Sequence, residues 1–260
     1  MAHTMFNGEY KYHIKLKQGD VGKYVLLPGD PGRCEVIARS FDNPVKVAQN
    51  REYVTYTGTL LGEKVSVTST GIGGPSTAIA VEELAMIGAG TFIRVGTSGA
   101  MQLGIGIGDL AIVTAAIRDE GTTRQYMPIE FPAVANIDVT LALRTAAEKL
   151  HLTSHLGISQ SKDSFYGEVE PDRQPLAEQL NARRGAWIAG GAVCSEMEAA
   201  TVFVVSSILH RRAGGVMLIV DSQFAEDGSK PRDQMLERLV STGIEAIKLL
   251  IEQDRAAAAE

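Results

Sequence analysis

Residues 24–33 of the chain are Tyr24-Val25-Leu26-Leu27-Pro28-Gly29-Asp30-Pro31-Gly32-Arg33. The first four predict a buried strand, and the turn after them predicts the start of a helix, with Asp30 as its cap and Pro31 in its first turn. A helix start carries unpaired N–H groups and a partial positive charge, so it attracts anions. Arg33 adds a forked guanidinium that matches phosphate. An ordinary strand-to-helix turn with a surface arginine explains this stretch equally well.

Apolar segments rich in valine and isoleucine alternate with helical patterns along the chain. The apolar segments predict strands at residues 24–27, 64–68, 91–95, 110–115 and 215–220. The segments between them predict helices at residues 31–40, 76–88, 139–150, 197–209 and 233–253. This alternation is typical of an α/β fold with a central mixed β-sheet flanked by helices. Ligands in such folds bind at the carboxyl ends of strands, so we expect the site there.

The composition predicts one globular domain, residues 1–260, since 45% of the residues are hydrophobic and no low-complexity linker interrupts them. A net charge of −6 argues against a nucleic-acid surface. The two cysteines, Cys34 and Cys194, imply no disulfide framework and favour a reducing cytoplasm. No apolar run is long enough to cross a bilayer, and residues 1–12 lack the apolar core of a signal peptide. We therefore expect a cytoplasmic protein without nucleic-acid or membrane partners.

Two further segments place glycines and hydroxyl groups after predicted strands. One is Ser69-Thr70-Gly71-Ile72-Gly73-Gly74-Pro75-Ser76, whose glycines allow close approach of a ligand, although a tight turn is the simpler interpretation. The other is Arg94-Val95-Gly96-Thr97-Ser98-Gly99, where an apolar strand ends in an arginine. A buried arginine needs an anionic partner, which is either an acidic side chain or a bound anion. The glycines beside Arg94 favour the bound anion.

Two charged pairs are ambiguous in isolation. Arg51 and Glu52 are typical of solvated surface. Ser195 and Glu198 have the spacing of a helix capping box. Alternatively, carboxylates in this segment accept hydrogen bonds from sugar hydroxyls. The carboxylate of Glu198 cannot fully serve both as a helix cap and as an acceptor for sugar hydroxyls.

Taken together and in this order, the segments resemble the hexameric-type nucleoside phosphorylases, most closely the members that act on uridine. Beyond those quoted, the resemblance rests on Asn50-Arg51-Glu52, Glu130-Phe131-Pro132-Ala133-Val134-Ala135, Asp163-Ser164-Phe165-Tyr166 and Glu196-Met197-Glu198-Ala199-Ala200. Each segment is a weak signal, but the ordered set spans nearly the whole chain and is specific. The resemblance implies a single α/β domain of the nucleoside phosphorylase fold.

The resemblance also implies where phosphate and ribose bind. By position, it assigns phosphate to Gly29, Arg33, Arg51, Arg94 and Thr97, and ribose to His13, Glu196, Met197 and Glu198. Arg94, Thr97 and Glu198 would carry the catalysis. Arg51 and His13 would reach the site of a neighbouring subunit, so a dimer would be the smallest competent unit, usually assembled threefold into a hexamer. Inorganic phosphate would be the co-substrate, with no organic cofactor.

The base pocket departs from the family pattern. The resemblance implies that Phe165 stacks on the base, and a gapped alignment puts Glu168 and Glu170 where many uridine-specific members have Gln and Arg. A carboxylate accepts from the N3–H of uracil but cannot donate to its carbonyls unless it is protonated, so Arg173 would have to supply a donor. Asp221 resembles in place the acid that purine-specific members use. Base preference therefore stays open at this point.

Three residues, Glu52, Ile72 and Ser76, match a monovalent-cation site of uridine-specific members, with K⁺ as a structural ion. The resemblance implies reversible phosphorolysis of pyrimidine nucleosides in nucleoside salvage, uridine first, by a pentosyltransferase. Phosphorolysis of purine nucleosides is the alternative within the family. Hydrolysis by water is less favoured because such a site needs no set of arginines, and a non-catalytic binding protein is less favoured because both Arg94 and Glu198 are present.

Overall fold

The computed structural model describes residues 8–222 and 232–259. Ten strands lie at Tyr24–Leu27 (β1), Asp42–Asn50 (β2), Tyr53–Leu60 (β3), Glu63–Thr68 (β4), Thr91–Ala100 (β5), Leu110–Asp119 (β6), Ala133–Val134 (β7), Ser154–Lys162 (β8), Cys194–Glu196 (β9) and Arg212–Ser222 (β10). Seven α-helices lie at Gly32–Ala38 (α1), Gly74–Met86 (α2), Ile137–Lys149 (α3), Phe165–Val169 (α4), Ala177–Ala189 (α5), Ala199–Ile208 (α6) and Arg232–Ala259 (α7). Short 3-10 turns occupy Thr123–Gln125 and Pro171–Arg173.

All ten strands belong to one mixed sheet, in the order β10-β6-β8-β9-β5-β1-β4-β3-β2, with β7 beside β6. Strand β10 also pairs with β5 in parallel, which closes β5, β10, β6, β8 and β9 into a ring. Strands β1, β4, β3 and β2 extend from this ring as an open sheet. The sequence prediction of an α/β domain with a central mixed sheet is confirmed for the described residues, and residues 1–7, 223–231 and 260 lie outside them.

Strand β5 changes partner halfway along its length. Residues 91–94 pair with β1, and the last pair joins Leu27 to Arg94. Beyond Arg94, β1 turns away, and β5 pairs instead with β9 at Gly99 and Ala100. A fork therefore opens between β1 and β9, at the carboxyl ends of parallel strands. Such a split between strands leaves a crevice in which α/β proteins bind ligands.

Helices cover both faces of the sheet, which explains why its central strands are apolar throughout. Val25 and Leu27 point toward the face that α2 and α6 cover. Tyr24 and Leu26 point toward the opposite face, which α1, α3 and α7 cover. Adjacent residues of a strand point to opposite faces, so a strand buried on both sides has no polar alternation.

The predicted elements all exist, with ends shifted by a few residues. Strand β1 has the predicted bounds, whereas β5 and β10 run several residues past theirs. The sequence prediction missed β2, β3, β8 and α5, together with the short elements β7, β9 and α4. Strand β2 is largely exposed and α5 buries no residue, so neither has a continuous apolar pattern. Within residues 8–222 and 232–259, the helices are either too short or too polar to cross a bilayer.

Candidate active site

A cavity of about 910 Å³ opens at the fork between β1 and β9. Its walls come from the turn after β1, the turn between β4 and α2, the middle of β5, the β9–α6 connection and the end of β10. The described residues that line it include Gly29, Arg33, Arg94, Thr97, Glu196, Met197 and Glu198. The structure therefore brings together most of the residues that the sequence assigned to phosphate and ribose.

A buried ion pair forms the floor of this cavity. The Arg94 side chain is 5% exposed, and its Nη2 donates to Oε2 of Glu198 at 2.5 Å. The other oxygen of Glu198 accepts the backbone N–H of Gly73 at 2.7 Å, so α2 is tied to the same carboxylate. Nη1 of Arg94 donates to the Leu27 carbonyl at 3.3 Å, across the last residue pair of β1 and β5. The fork, the helix α2 and the helix α6 thus meet at one charge pair.

Arg94 lines the cavity, and its guanidinium keeps unused hydrogen-bonding capacity. Its Nε is buried without a hydrogen-bond partner in the described part of the chain. The nearest carboxylate oxygen to that Nε is Oε2 of Glu196, at 4.0 Å, which is beyond hydrogen-bond length. A guanidinium has five N–H donors in a fixed fork. Arg94 is therefore able to bind an oxyanion as well as Glu198.

Glu196 serves the protein rather than the open cavity. Its Oε2 accepts the backbone N–H groups of Glu198 and Ala199, at 2.8 and 2.9 Å. Its Oε1 accepts the Ser161 hydroxyl at 2.5 Å. Burial and the neighbouring Glu198 carboxylate raise the pKa of Glu196, against the lowering effect of Arg94. Glu196 therefore caps α6 and fixes the backbone of Glu198.

The capping-box interpretation of Ser195 and Glu198 is wrong. Helix α6 begins at Ala199 without a side-chain cap from Glu198, and Ser195 lies in β9. The Ser195 hydroxyl contacts Lys162, Gln160 and Glu168 instead. Glu198 is thereby left to Arg94 and the cavity, because Glu196 has taken over the capping role.

Of the residues that the sequence assigned to phosphate, all except Arg51 line the cavity. Gly29 lies against the Arg94 guanidinium, since a Cβ there would sit 3.5 Å from Nη1. Arg33 lines the cavity from the first turn of α1, with its Nε 3.9 Å from Asp30. Asp30 accepts the backbone N–H of Gly32 at 2.8 Å and so orders that turn, although α1 begins one residue later than predicted, with Pro31 rather than Asp30 in the capping position. Thr97 lines the same cavity from β5.

The predicted base-binding residues divide into two groups. Phe165, Glu168 and Asp221 line the cavity. Glu170 and Arg173 form an exposed ion pair with each other and are not among the described residues that line it. Glu170 directly precedes the 3-10 turn Pro171–Arg173, and Arg173 is its last residue, so the turn brings the two side chains together at the surface. The structure thus keeps three of the five predicted base contacts at the site.

One cavity residue was missed by the sequence reasoning. Lys162, the last residue of β8, is a buried lysine whose Nζ donates to the Ser195 hydroxyl at 2.5 Å. The same ammonium lies 3.0 Å from Oε2 of Glu168. A lysine directly before Asp163-Ser164-Phe165-Tyr166 was visible in the sequence, but nothing in a linear pattern shows that its side chain is buried.

The residues assigned to a neighbouring subunit lie together outside the cavity. Arg51 is exposed at the tip of the β2–β3 hairpin, in a left-handed backbone conformation with φ of 52°. His13 hydrogen-bonds to Glu83 through Nδ1 at 2.6 Å, and its carbonyl accepts from the side-chain amide of Asn50. His13 and Arg51 are thus joined through Asn50 into one patch, separate from the cavity of their own chain.

The three predicted cation ligands line one edge of the cavity. Glu52 and Ser76 flank Gly71, where a Cβ would lie 2.9 Å from Cγ of Glu52 and 3.2 Å from Oγ of Ser76. Ser76 donates weakly, at 3.3 Å, to the carbonyl of Ile72. Within the described residues, no group of three His, Cys, Asp or Glu side chains is placed to hold a metal ion.

Neither cysteine is placed to act as a nucleophile. Burial raises the pKa of the Cys34 thiol to about 12, and burial raises that of Cys194 to the same value. The thiolate is the nucleophilic form, so both residues are inert at neutral pH. The cavity instead offers fixed charges of both signs around an open volume, which suits positioning and electrostatic stabilisation of reacting groups.

The sequence of this chain is similar to a family of known proteins. A family described as the phosphorylase superfamily matches residues 23–252. A uridine phosphorylase of Treponema pallidum is 50% identical over 252 residues, covering 96% of this chain and 98% of that protein. A uridine phosphorylase of Thermococcus kodakarensis is 47% identical, covering 94% and 88%. The uridine phosphorylase of Escherichia coli is 38% identical, covering 94% and 96%.

Gly96 is predicted to be essential for the position of Arg94. A Cβ at residue 96 would lie 2.8 Å from Nη2 of Arg94 and 2.8 Å from the sulfur of Met217. We expect Gly96→Ala to lower the free energy of unfolding by about 1–3 kcal/mol, as overpacking does. The measurement is urea denaturation followed by circular dichroism.

The matched control is Gly185→Ala, in the exposed helix α5, where a Cβ meets no atom within 4 Å. This control should raise stability by about 0.4–1 kcal/mol, because alanine restricts the unfolded chain. Equal stability changes in the two variants would show that β5 has room beside Arg94.

Proposed function

This chain belongs to the phosphorylase superfamily, and from that premise we propose that it cleaves uridine with inorganic phosphate, giving uracil and ribose 1-phosphate in a reversible reaction. The family resemblance predicted from the ordered segments is confirmed by the match over residues 23–252 and by relatives up to 50% identical. The proposed activity is that of a pentosyltransferase. The observation that carries it is the buried Arg94–Glu198 pair, which lies on the floor of a cavity large enough for a nucleoside and phosphate together.

The chemistry follows from how charge develops in the reaction. A phosphate oxygen forms a bond to the anomeric carbon while the bond from that carbon to N1 of the base breaks, and its electron pair leaves with the base. The sugar becomes cation-like in the transition state, because the bond to the base breaks ahead of the formation of the bond to phosphate. An enzyme lowers this barrier by fixing phosphate beneath the sugar and by stabilising the departing base. No step requires a covalent enzyme intermediate, which agrees with the two inert cysteines.

We assign phosphate to the side of the cavity that holds both arginines. Arg94 supplies a buried guanidinium, and Arg33 approaches from the first turn of α1. Gly29 contributes a backbone surface that a side chain would obstruct, and Thr97 contributes a hydroxyl. Guanidinium groups match the geometry of phosphate and stay charged at all working pH values.

We assign ribose to Met197 and Glu198, where β9 leads into α6. Glu198 holds Arg94 with one oxygen and Gly73 with the other, so its carboxylate lies at the junction of the phosphate and sugar sites. Each carboxylate oxygen keeps a lone pair for a ribose hydroxyl. Glu196 is already bound to two backbone N–H groups and to Ser161, so we assign it a positioning role through Glu198.

We propose that two copies of the chain complete each site, with a trimer of such dimers as the full assembly. Arg51 and His13 lie in one patch outside the cavity of their own chain, as residues donated to a neighbour would. Arg51 would then reach the neighbour's phosphate, and His13 would reach the 5′-hydroxyl of its ribose. We also propose a cytoplasmic location, because both cysteines are buried free thiols and a reducing compartment keeps them so.

Uridine is favoured over purine nucleosides by the named relatives, of which all three described above are uridine phosphorylases. Asp221 lines the cavity from β10. It therefore stays a candidate contact to the base, which a substrate panel addresses. Hydrolysis and non-catalytic binding are separated from phosphorolysis by the same panel.

The panel consists of uridine, thymidine, inosine and adenosine, each with and without phosphate. We expect release of uracil from uridine only when phosphate is present. Arg94→Ala should lose about 2–5 kcal/mol of transition-state stabilisation in kcat/KM, since it truncates a buried charge-assisted contact and leaves Glu198 unpaired. Release of free base is followed by ultraviolet absorbance.

The control is Arg39→Ala, an exposed arginine at the end of α1 that pairs with Glu35. It should retain wild-type kinetics. Base release without phosphate would point to a hydrolase, and near-normal phosphorolysis by Arg94→Ala would overturn the assignment of the site.

Sharing of sites between subunits predicts complementation. Arg51→Ala and Arg94→Ala should each be nearly inactive alone. When the two are co-expressed and form mixed dimers, one site of each mixed dimer combines an intact Arg94 with a neighbour's intact Arg51. We expect about a quarter of wild-type activity from random pairing. Activity no higher than that of the separate variants would mean that Arg51 does not act across an interface.

We propose that Glu52, Ser76 and the carbonyl of Ile72 hold a monovalent cation such as K⁺ as a structural ion. These oxygens fit a hard cation, although three donors are too few, so a second copy would have to supply the rest. Replacing K⁺ with tetramethylammonium should lower the melting temperature of the wild type by a few degrees and that of Glu52→Gln by much less. An equal response of both proteins, measured by differential scanning fluorimetry, would remove the cation from this site.

A further inference from the structure

The patch that holds His13 and Arg51 outside the cavity contains a buried carboxylate, Glu83 of helix α2. The side chain of Glu83 is 11% exposed. Its oxygens accept the backbone N–H groups of His13 and Ile14, at 3.0 and 2.9 Å, and Nδ1 of His13 lies 2.6 Å from Oε1. All of these hydrogen bonds are made to His13 and the residue after it.

The local fold needs only part of this arrangement. Val81 and Leu84 of α2 are fully buried in the core, so the helix holds Glu83 on a rigid support. Ile14 is fully buried in the same core and anchors the chain beside His13 without help from the carboxylate. Two backbone N–H groups need an acceptor, which a neutral amide also provides. The bond from Glu83 to the imidazole is additional to that need.

Asn50 holds His13 from the other side. Its side-chain amide donates to the carbonyl of His13 at 2.6 Å, from the β2–β3 hairpin that carries Arg51 at its tip. Glu83 and Asn50 therefore engage the backbone N–H, the carbonyl and Nδ1 of His13. Within the described part of the chain, Nε2 is the polar atom of His13 that these contacts leave for a ligand.

The contact with Glu83 also decides which ring nitrogen of His13 carries the hydrogen. An ionised carboxylate only accepts hydrogen bonds, so we assign the hydrogen to Nδ1. The other nitrogen of a neutral imidazole then has a lone pair, and Nε2 becomes an acceptor. A carboxylate on one ring nitrogen makes the other more basic, as it does in metal-binding histidines. Tyr12 packs edge to face on the ring, with the centroids 4.8 Å apart.

We propose that Glu83 is a positioning residue for the reaction: it holds the imidazole of His13 so that Nε2 accepts a hydrogen bond from the 5′-hydroxyl of the ribose in the neighbouring subunit. This inference rests on the proposed function, in which His13 reaches that hydroxyl. Glu83 touches neither the substrate nor the reacting atoms and acts only through His13. A bond to the 5′-hydroxyl fixes the end of the sugar away from the anomeric carbon, and binding energy from such a remote group orients the reacting centre.

The test compares uridine with 5′-deoxyuridine, which lacks the hydroxyl in question. We expect His13→Ala to lower kcat/KM for uridine about tenfold and that for 5′-deoxyuridine much less. Glu83→Gln should lower the ratio of the two kcat/KM values, uridine over 5′-deoxyuridine, by about three- to tenfold, because an amide no longer fixes the hydrogen on Nδ1. A purely structural role for Glu83 would lower both rates equally and leave the ratio unchanged.

The double variant His13→Ala, Glu83→Gln tests whether Glu83 acts through His13. We expect its substrate ratio to equal that of His13→Ala alone, since Glu83 has no other route to the sugar. A further fall of the ratio in the double variant would overturn the positioning role. The matched control is Glu148→Gln, an exposed carboxylate of α3 that pairs with Arg144, and it should keep the wild-type ratio.

The outcomes separate this inference from the proposed function. If His13→Ala lowers the ratio and Glu83→Gln does not, the role of Glu83 is overturned while the proposed function stands. If neither variant changes the ratio, the assignment of His13 to the 5′-hydroxyl fails together with that of Glu83. If the wild type releases no uracil from uridine with phosphate, the proposed function itself fails.

Should Glu83→Gln fail to fold by circular dichroism, a crystal structure of the wild type with uridine and sulfate decides. We expect Nε2 of His13 within hydrogen-bond distance of the 5′-oxygen in the neighbouring site, with Nδ1 still bonded to Glu83. A ring whose Nδ1 has left Glu83, or whose Nε2 points away from the 5′-oxygen, would overturn the proposal.

Discussion

The buried ion pair between Arg94 and Glu198 is the interaction on which the rest of the site depends. Removing two charges from water is costly, and the pair offsets that cost only because further hydrogen bonds complete it. Leu27 and Gly73 supply these bonds from β1 and from the start of α2, while Glu196 fixes the backbone beneath Glu198. Four separate parts of the chain must therefore be in place before either charge is tolerated.

The partner change of β5 explains why this pair lies in an open cavity rather than in the core. Had β1 continued beside β5, the backbone groups after Arg94 would be closed off by strand pairing. Strand β9 takes over at Gly99 and carries Glu196 into the gap. The closed ring of five strands also returns β10 to the same edge, which brings Asp221 to the cavity. The topology of the sheet thus converts distant segments into one site.

The cavity holds fixed charges of both signs. Arg33 and Arg94 both line it, and two guanidinium groups suit the multiply charged anion that we propose as co-substrate. Lys162 and Glu168 form a second, largely buried ion pair in the wall of the cavity. Fixed charges of this kind are suited to stabilising charge that develops in a reaction.

The sequence by itself determined the α/β class, the family, and most of the charged residues that line the cavity. Those residues lie in glycine-rich turns directly after apolar strands, where a local pattern shows both the strand end and the polar group. Only the tertiary structure separated Glu168, which lines the cavity, from Glu170, and showed that Lys162 is buried. The sequence alignment placed both Glu168 and Glu170 at base-binding positions. In the structure, Glu170 directly precedes a 3-10 turn and pairs with Arg173 at the surface. Burial of Lys162 depends on contacts with residues 6 and 33 positions away, and no linear pattern encodes such contacts.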